Sequence, residues 1–150
     1  MLPFHTILCP IDFSEPSYMA LQGAVEMASH FQAELVLLHV VSAPPIPADP
    51  AYVFEGPEGY QQELVVAARE RLAIAAKQIP PDLKSRTVTG EGDPADEIVR
   101  YATTLGADLI VIATHGLTGW RHLVFGSVAE KVIRLTERPV LVIPAHGTAQ

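Results

Sequence analysis

The amino-acid sequence predicts an α/β fold, a five-stranded parallel sheet with helices on both faces. Five apolar, strand-like runs alternate along the chain with four stretches of helical periodicity. The run at 35–41 lacks the apolar-polar alternation of a half-exposed strand, which indicates a strand covered on both faces. The chain has 150 residues, of which 49% are hydrophobic and 18% charged, as is typical of one globular domain.

A short apolar run and a helix start mark the first two elements. Residues 6–12 form the first predicted strand, and Ser14 and Pro16 follow as a cap residue and a first-turn proline. Small and apolar residues then recur at spacings of three and four, which predicts a helix at 16–31. The run at 35–41 is the second predicted strand.

Residues 42–59 differ in composition from the rest of the chain, because prolines stand there among small and acidic residues. Such a composition resists regular structure, so we predict a long loop that is too short to be a second domain. Loops of this length inside a compact domain are often functional or disordered. We therefore expect one domain of residues 1–150, in which a helix at 60–78 and a strand at 84–89 follow the loop.

The later elements have recognisable boundaries. They are a helix at 95–105, a strand at 108–113, a helix that starts at 126–127 and a strand at 140–143. Asp93 and Pro94 provide the cap and the first-turn proline of the helix at 95–105. Gly106 is expected to end that helix in the left-handed conformation.

Charge and composition exclude several classes of protein. The formal net charge is -7 and Lys and Arg form no cluster, so the basic surface of a nucleic-acid binder is missing. No apolar run has the length of a transmembrane helix and the N-terminus lacks a signal-peptide pattern, so we expect a cytoplasmic protein. The single cysteine, Cys9, lies in an apolar run, which favours a buried and inert thiol.

The segment at 113–127 is predicted to hold phosphate. It begins at the carboxyl end of a strand, where parallel sheets bind ligands, and it includes Gly116, Gly119 and Gly126. Glycines let the backbone approach a ligand, the amides of a helix N-terminus favour an anion, and the Ser127 hydroxyl can add a hydrogen bond. The spacing is equally compatible with a simpler alternative, in which Gly126 turns the chain and Ser127 caps a helix that binds nothing.

Other motifs give weaker candidates. Residues 90–95 match the dinucleotide fingerprint G-x-G-x-x-A, but Asp93 would place a carboxylate at the pyrophosphate position, so a capped helix is the better interpretation. Walker A, G-x-S-x-G and zinc-type Cys and His spacings do not occur. His39 is expected to be a hydrogen-bonded core histidine, whereas His115 lies in the candidate phosphate loop.

Six segments form a specific set of sequence marks. They are Ile-Leu-Cys-Pro-Ile-Asp-Phe-Ser at 7–14, Leu-Leu-His-Val at 37–40, Gly-Asp-Pro-Ala-Asp-Glu-Ile at 92–98, Ala-Asp-Leu-Ile-Val-Ile-Ala-Thr-His-Gly at 107–116, Gly-Ser-Val-Ala-Glu-Lys-Val at 126–132 and Arg-Pro-Val-Leu-Val-Ile-Pro at 138–144. With these marks the chain resembles the universal stress protein family. The nucleotide-binding branch of that family has Gly, two residues, Gly, nine residues, and then Gly-Ser or Gly-Thr. The second glycine, the gap and the final pair are present here, and Ala113 replaces the first glycine.

The resemblance implies a Rossmann-like open sheet of strand order 3-2-1-4-5 and a site for ATP, with Mg²⁺. Pro10, Ile11 and Val40 would border the adenine, and Asp12 would lie near the ribose or the metal. The residues implied on the phosphate side are Ala113, Thr114, His115, Gly116, Gly126, Ser127 and Val128. Gly119 and Arg121 are further candidates in the same loop, Arg121 because of its charge. For Arg121 a phosphate contact and a solvated surface position are equally compatible with the sequence.

We therefore predict an ATP-binding homodimer that acts as a stress-response sensor or switch, with slow or no hydrolysis because no general base is evident. Ala113 keeps an alternative open, a family member without nucleotide that works as a dimeric interaction or chaperone-like protein. The last strand is uncharged and is expected at a sheet edge, which invites pairing, and the resemblance implies the same dimer. The residues that would join two copies are Val140, Leu141, Val142 and Ile143.

Overall fold

The computed structural model describes residues 1–42, 57–114 and 126–145 of the chain. Within these ranges, strands and helices alternate in chain order. The strands are β1 (Thr6–Pro10), β2 (Glu34–Val41), β3 (Ser85–Glu91), β4 (Leu109–Ala113) and β5 (Val140–Ile143). The helices are α1 (Glu15–Phe31), α2 (Pro57–Ala76), α3 (Pro94–Thr104) and α4 (Ser127–Leu135).

The described strands form one parallel sheet in the order β3-β2-β1-β4-β5, which confirms the predicted fold class and strand order. β1 is central and pairs with β2 through Cys9 and Leu37, and with β4 through Leu8 and Ile110. The chain builds the sheet outward from β1 to β3, and then returns to the other side of β1 with β4. Strand order therefore reverses between β1 and β4, which is where open parallel sheets form a ligand crevice.

Two apolar layers cover the sheet, one on each face. One layer packs α1 and α2 against the side chains of alternate strand residues such as Cys9, Leu37 and Val111. The other packs α3 and α4 against the intervening residues, such as Leu8 and Ile110. The prediction that β2 is covered on both faces is confirmed, because Leu35 through Leu38 are all fully buried.

The ends of α1 and α3 follow the capping rules, except at the C-terminal end of α1. Ser14 caps α1 by accepting from Ser17 N–H, and Asp93 caps α3 by accepting from Asp96 N–H, as the sequence predicts. Gly106 has a φ of 63°, the predicted left-handed conformation. At the end of α1 a non-glycine residue, Gln32, takes this role with a φ of 52°.

Several predicted boundaries are wrong by two or three residues. β1 ends at Pro10 and not at residue 12, and α2 ends at Ala76 and not at residue 78. β3 runs to Glu91 and not to residue 89, because it pairs with β2 as far as Val41. The predicted loop at 42–59 is helical at its end, since α2 begins at Pro57. A proline fits the first turn of a helix, where its missing N–H would have no partner. Residues 43–56 lie outside the described part of the chain.

Candidate functional site

A cavity of about 250 Å³ opens at the carboxyl ends of β1, β2 and β4. Its position coincides with the reversal of strand order, the place where a ligand crevice is expected in this architecture. Its walls are mostly apolar, with a few hydroxyl, carboxylate and imidazole groups among them. The lining residues are Pro10, Ile11, Asp12, Ser14, Ser17, Leu38, His39, Val40, Ser42, Pro94, Ile98, Ile112, Ala113, Val128 and Ala129.

The cavity brings together six of the site residues predicted from the sequence. They are Pro10, Ile11, Asp12, Val40, Ala113 and Val128. Thr114 is buried, and its hydroxyl accepts from the backbone N–H of Ala145 at 3.4 Å. Gly126 and Ser127 do not line the cavity but precede Val128 at the start of α4. His115, Gly116, Gly119 and Arg121 lie outside the described residues.

Ala113 is the last residue of β4, in register with Ile143 of β5. It belongs to a regular strand and is not among the described residues with positive φ. A glycine at this position would therefore not be needed for its backbone freedom. Ala113 lines the cavity, and its side chain packs with the apolar layer under α1 and α2.

The turn between β1 and α1 holds the Asp12 carboxylate in place. Asp12 Oδ1 accepts from the backbone N–H of Ser14 at 2.9 Å and also from the Ser14 hydroxyl. Phe13, between them, has a φ of 67°, the left-handed region that non-glycine residues rarely adopt. This conformation turns the chain from the end of β1 into α1, and Asp12 lies at the crevice in that turn.

The peptide groups of β2 alternate between the two neighbouring strands. Leu35 N–H donates to a carbonyl on the β3 side, whereas Leu38 C=O accepts from Ile11 N–H on the β1 side at 2.8 Å. Because this alternation has a period of two, the N–H and C=O of Val40 also point to the β1 side. β1 ends at Pro10, so the Val40 peptide groups face the crevice beyond the end of that strand.

His39 is a lining residue that the sequence did not identify as part of the site. Its Nδ1 donates to the carbonyl of Ile11 at 2.7 Å, so the predicted hydrogen bond is present, but the ring is half-buried at the crevice and not in the core. The ring centroid lies 4.5 Å from that of Phe13, and the guanidinium of Arg71 lies 4.1 Å from the Phe13 centroid. The available signal was the position of His39 next to Val40 at the carboxyl end of a strand.

Three hydroxyl residues, Ser14, Ser17 and Ser42, were also missed as lining residues. Ser14 was predicted only as the α1 cap. The cap turns out to stand at the crevice because α1 starts directly after the carboxyl end of β1, the central strand. The short turn from the central strand to α1 therefore brings the helix cap to the crevice.

The start of α4 has the features of an anion site. Gly126 is its N-cap, with a φ of -56° and no side-chain hydrogen bond to the helix amides. Ser127 is exposed and is the first residue of the helix. In the simpler alternative Ser127 would cap the helix, but the N-cap is Gly126 and Ser127 is already the first helical residue. Ser14 and Asp93 cap α1 and α3, whereas no side chain does so at α4.

The glycine-rich segment at 90–95 is structural, as predicted. A Cβ on Gly90 would lie 2.7 Å from Cε2 of Tyr101, so the missing side chain makes room for that ring. The Asp93 carboxylate occupies the start of α3 and contacts Lys131 Nζ at 3.0 Å. The hydrogen bond from the Asp96 amide, followed by that from Lys131, lowers the pKa of Asp93 and keeps it ionised. A pyrophosphate would meet this negative charge.

The described residues give no support to a metal site, a reactive cysteine or a membrane-spanning helix. Within 1–42, 57–114 and 126–145, no three His, Cys, Asp or Glu side chains are grouped as a metal site. Burial raises the pKa of the Cys9 thiol to about 12, which makes it unreactive at neutral pH. None of the described helices combines the length and hydropathy that a membrane crossing requires.

Comparison with known proteins gives consistent matches over most of the chain. The sequence model of the universal stress protein family matches residues 3–144. The universal stress protein MJ0531 of Methanocaldococcus jannaschii is 36% identical over 142 residues, which cover 93% of this chain and 82% of that protein.

Solved structures show the same fold. The structure of MJ0577, from the same organism, has a TM-score of 0.78 and 29% identity, and the match covers 96% of this chain and 98% of that one. A universal stress protein of Archaeoglobus fulgidus, solved in complex with dAMP, has a TM-score of 0.67 and 23% identity, and the match covers 95% and 99% of the two chains. The chain described here belongs to the universal stress protein family.

Proposed function

We propose that this protein binds ATP in the crevice and acts as a homodimeric stress-response sensor or switch, with slow or no hydrolysis. The observation that carries the proposal is the pair of Val40 peptide groups turned toward the crevice beyond the end of β1. A backbone donor and acceptor side by side complement an adenine edge, where N1 accepts and the N6 amino group donates.

The apolar walls of the crevice suit a flat base. Ile11 and Ile98 are buried, and Val40, Ala113 and Val128 are half-buried around the cavity. Ligand sites commonly combine such apolar walls with a few polar groups that set orientation. We assign the Asp12 carboxylate, which Ser14 holds, to the ribose hydroxyls or to the metal.

The triphosphate is assigned to the start of α4. The first amides of a helix attract anions through their unpaired N–H groups and the helix dipole. Gly126 leaves those amides without a side-chain cap, and Ser127 can add its hydroxyl. Mg²⁺ is usually bound by phosphates and one or two carboxylates, and Asp12 would provide such a carboxylate at the mouth of the crevice.

A charge substitution at Ser127 tests the phosphate assignment. Ser127→Asp places a carboxylate among the α4 amides, where it stabilises the helix but repels phosphate. We expect this variant to keep its melting temperature and to bind ATP at least about tenfold more weakly. One unfavourable charge contact that costs about 1.4 kcal/mol of binding free energy corresponds to a tenfold change in Kd. Ser127→Asn, which has nearly the same shape without the charge, is the matched control and should bind ATP like the wild type.

The nucleotide itself is tested on the unmodified protein. Denaturing the purified chain should release an adenine nucleotide, or else added ATP with Mg²⁺ should raise the melting temperature. If neither occurs, the proposal is wrong and the nucleotide-free alternative, a dimeric interaction or chaperone-like protein, takes its place. Equal ATP affinity of the Ser127→Asp and Ser127→Asn variants would contradict the phosphate assignment alone.

The homodimer is proposed from the edge of the sheet. β3, at one edge, has Arg86 paired with Glu34 of β2, and such charges oppose strand addition. β5, at the other edge, consists of four apolar residues that are only half-buried, Val140–Ile143. An uncharged edge of this kind favours pairing with a second copy of the chain.

A further inference from the structure

The carbonyl of Ile11 is the point at which the hydrogen-bond ladder between β1 and β2 stops. In an unbroken parallel ladder, Ile11 N–H donates to Leu38 C=O and Val40 N–H donates in turn to Ile11 C=O. The first bond is present at 2.8 Å, but within the described residues the pairing ends at Pro10 and Leu38. The Ile11 carbonyl accepts from Nδ1 of His39 at 2.7 Å.

The turn after β1 leaves the C=O of Val40 without its next partner in the ladder. An unbroken ladder would next have Phe13 N–H donate to Val40 C=O. The left-handed φ of 67° at Phe13 turns the chain away from β2 before this rung can form. The same residue supports His39, because the two ring centroids lie 4.5 Å apart with an interplanar angle of 39°.

We propose that His39 is a positioning residue that takes the Ile11 carbonyl and thereby leaves the Val40 N–H available to a purine base. The inference rests on the proposed function, since the base is the adenine assigned to the crevice. The imidazole and the Val40 amide are the two donors next to the Ile11 carbonyl, and in the described structure only the imidazole bonds it. While the ring holds that acceptor, the amide is directed to the ligand, and His39 sets base specificity without touching the base.

Base selectivity should therefore depend on His39. Adenine N1 accepts a hydrogen bond, whereas the N1 of hypoxanthine has a hydrogen and donates, so the Val40 N–H distinguishes ATP from inosine triphosphate. In His39→Leu the imidazole donor is absent and Val40 N–H closes the next rung to Ile11. We expect the preference for ATP over inosine triphosphate to fall about three- to tenfold, the usual effect of one neutral hydrogen bond.

Hydrogen exchange of the Val40 amide in the ligand-free protein measures directly whether Val40 N–H bonds to the Ile11 carbonyl. This amide should exchange more slowly in His39→Leu than in the wild type, because it acquires a backbone partner. His39→Asn keeps an N–H donor near the position of Nδ1 and should retain both wild-type exchange and the wild-type preference for ATP. His30→Leu makes the same change at an exposed histidine of α1, away from the crevice, and should alter neither.

The outcomes separate this inference from the proposed function. Slower Val40 exchange together with a reduced ATP preference in His39→Leu, rescued in His39→Asn, supports the positioning role. Unchanged Val40 exchange or an unchanged preference in His39→Leu overturns it, even if that variant is less stable. A wild-type protein that binds neither nucleotide refutes the proposed function, and with it the assignment of His39 to base selection.

Discussion

At the scale of single residues, the side chain at position 113 affects the size of the cavity at the end of β4. The next glycine of the family pattern, Gly116, lies outside the described residues, whereas Ala113 itself is described. It ends a strand in register with Ile143, and it is one of the residues that line the cavity. The effect of replacing the family's glycine is therefore one of volume and not of backbone conformation.

A larger side chain at position 113 should reduce binding without disturbing the fold. Valine suits a strand, so Ala113→Val should keep stability within about 1 kcal/mol, but its added methyl groups should raise the Kd for ATP about tenfold. Ala113→Gly is the control, which should bind at least as well as the wild type and lose about 0.5–1 kcal/mol of stability. Titration calorimetry and urea unfolding measure the two quantities. Tight binding by Ala113→Val would show that this wall does not face the ligand.

Gly90 provides a second residue-scale prediction. Because a Cβ there would lie 2.7 Å from the Tyr101 ring, Gly90→Ala should lower the free energy of unfolding by about 1 kcal/mol or more. Gly59 lies in α2, and a Cβ there would meet nothing within 4 Å, so Gly59→Ala should be neutral or stabilising. Equal unfolding free energies for the two variants would contradict the assigned role of Gly90 as a packing residue.

At the scale of elements, local signals predict most of the fold. The alternation of apolar runs with helical periodicity predicts every strand and helix of the described residues. Each element has an apolar face that packs against its neighbours, and the spacing of apolar residues shows that face in the sequence. Pattern does not predict the left-handed end of α1, because Gln32 has no special propensity for it. The rule that places proline in a first helical turn identifies α1 and α3, but at Pro57 it was obscured by the surrounding prolines.

Asp108 connects two elements at the amino ends of the strands. Its Oδ2 accepts from the backbone N–H of His5 at 2.7 Å and of Thr6 at 2.9 Å, so β4 is attached to the start of β1. Burial raises the pKa of Asp108, but the hydrogen bonds from His5 and Thr6 outweigh this and lower the pKa overall. A lowered pKa means that the ionised form stabilises the folded state.

The stability that Asp108 provides should disappear in acid. It is fully present above the unfolded pKa of about 3.9 and is lost as pH falls through the lower folded pKa. The free energy of unfolding of Asp108→Asn should therefore be about 1 kcal/mol lower than that of the wild type at pH 7. This difference should shrink below about pH 4. Urea unfolding at several pH values measures it. A difference that is the same at pH 7 and pH 3 would contradict the role of the charge.

At the scale of the whole molecule, the register of the sheet shows which groups are open to a second copy. Ile143 C=O accepts from Thr114 N–H, so odd-numbered residues of β5 turn their peptide groups toward β4. The peptide groups of Val140 and Val142 consequently point away from the sheet, to its free edge. They are the groups that a dimer formed through β5 would use.

Proline substitutions in β5 should separate folding from assembly. Val142→Pro removes an outward N–H and leaves the bonds to β4 intact, so it should give a folded monomer, with an apparent mass in solution half that of the wild type. Leu141→Pro removes an inward N–H and should destabilise the fold by about 3 kcal/mol. Sedimentation and thermal unfolding distinguish the two effects. A dimeric Val142→Pro variant would exclude pairing through this edge.

The site could be predicted from the sequence only in part. Ile11, Asp12 and Val40, which the sequence predicts as site residues, line the cavity, because strand ends converge at the reversal of strand order. Their roles toward a ligand stay predictions. The contact between His39 and Ile11 was not foreseen, since it joins two residues 28 positions apart through a ring orientation that Phe13 supports. Periodicity indicates which face a residue occupies but not which neighbouring group it bonds.

The burial of Cys9 gives the protein an internal reporter of its own opening. Cys9 is the single cysteine of the chain, it is fully buried, and it lies in the central strand between β2 and β4. A thiol reagent can reach it only when the middle of the sheet separates, so the labelling rate counts such events without an engineered probe. A ligand that bridges the two sides of β1 should slow this labelling in proportion to its occupancy.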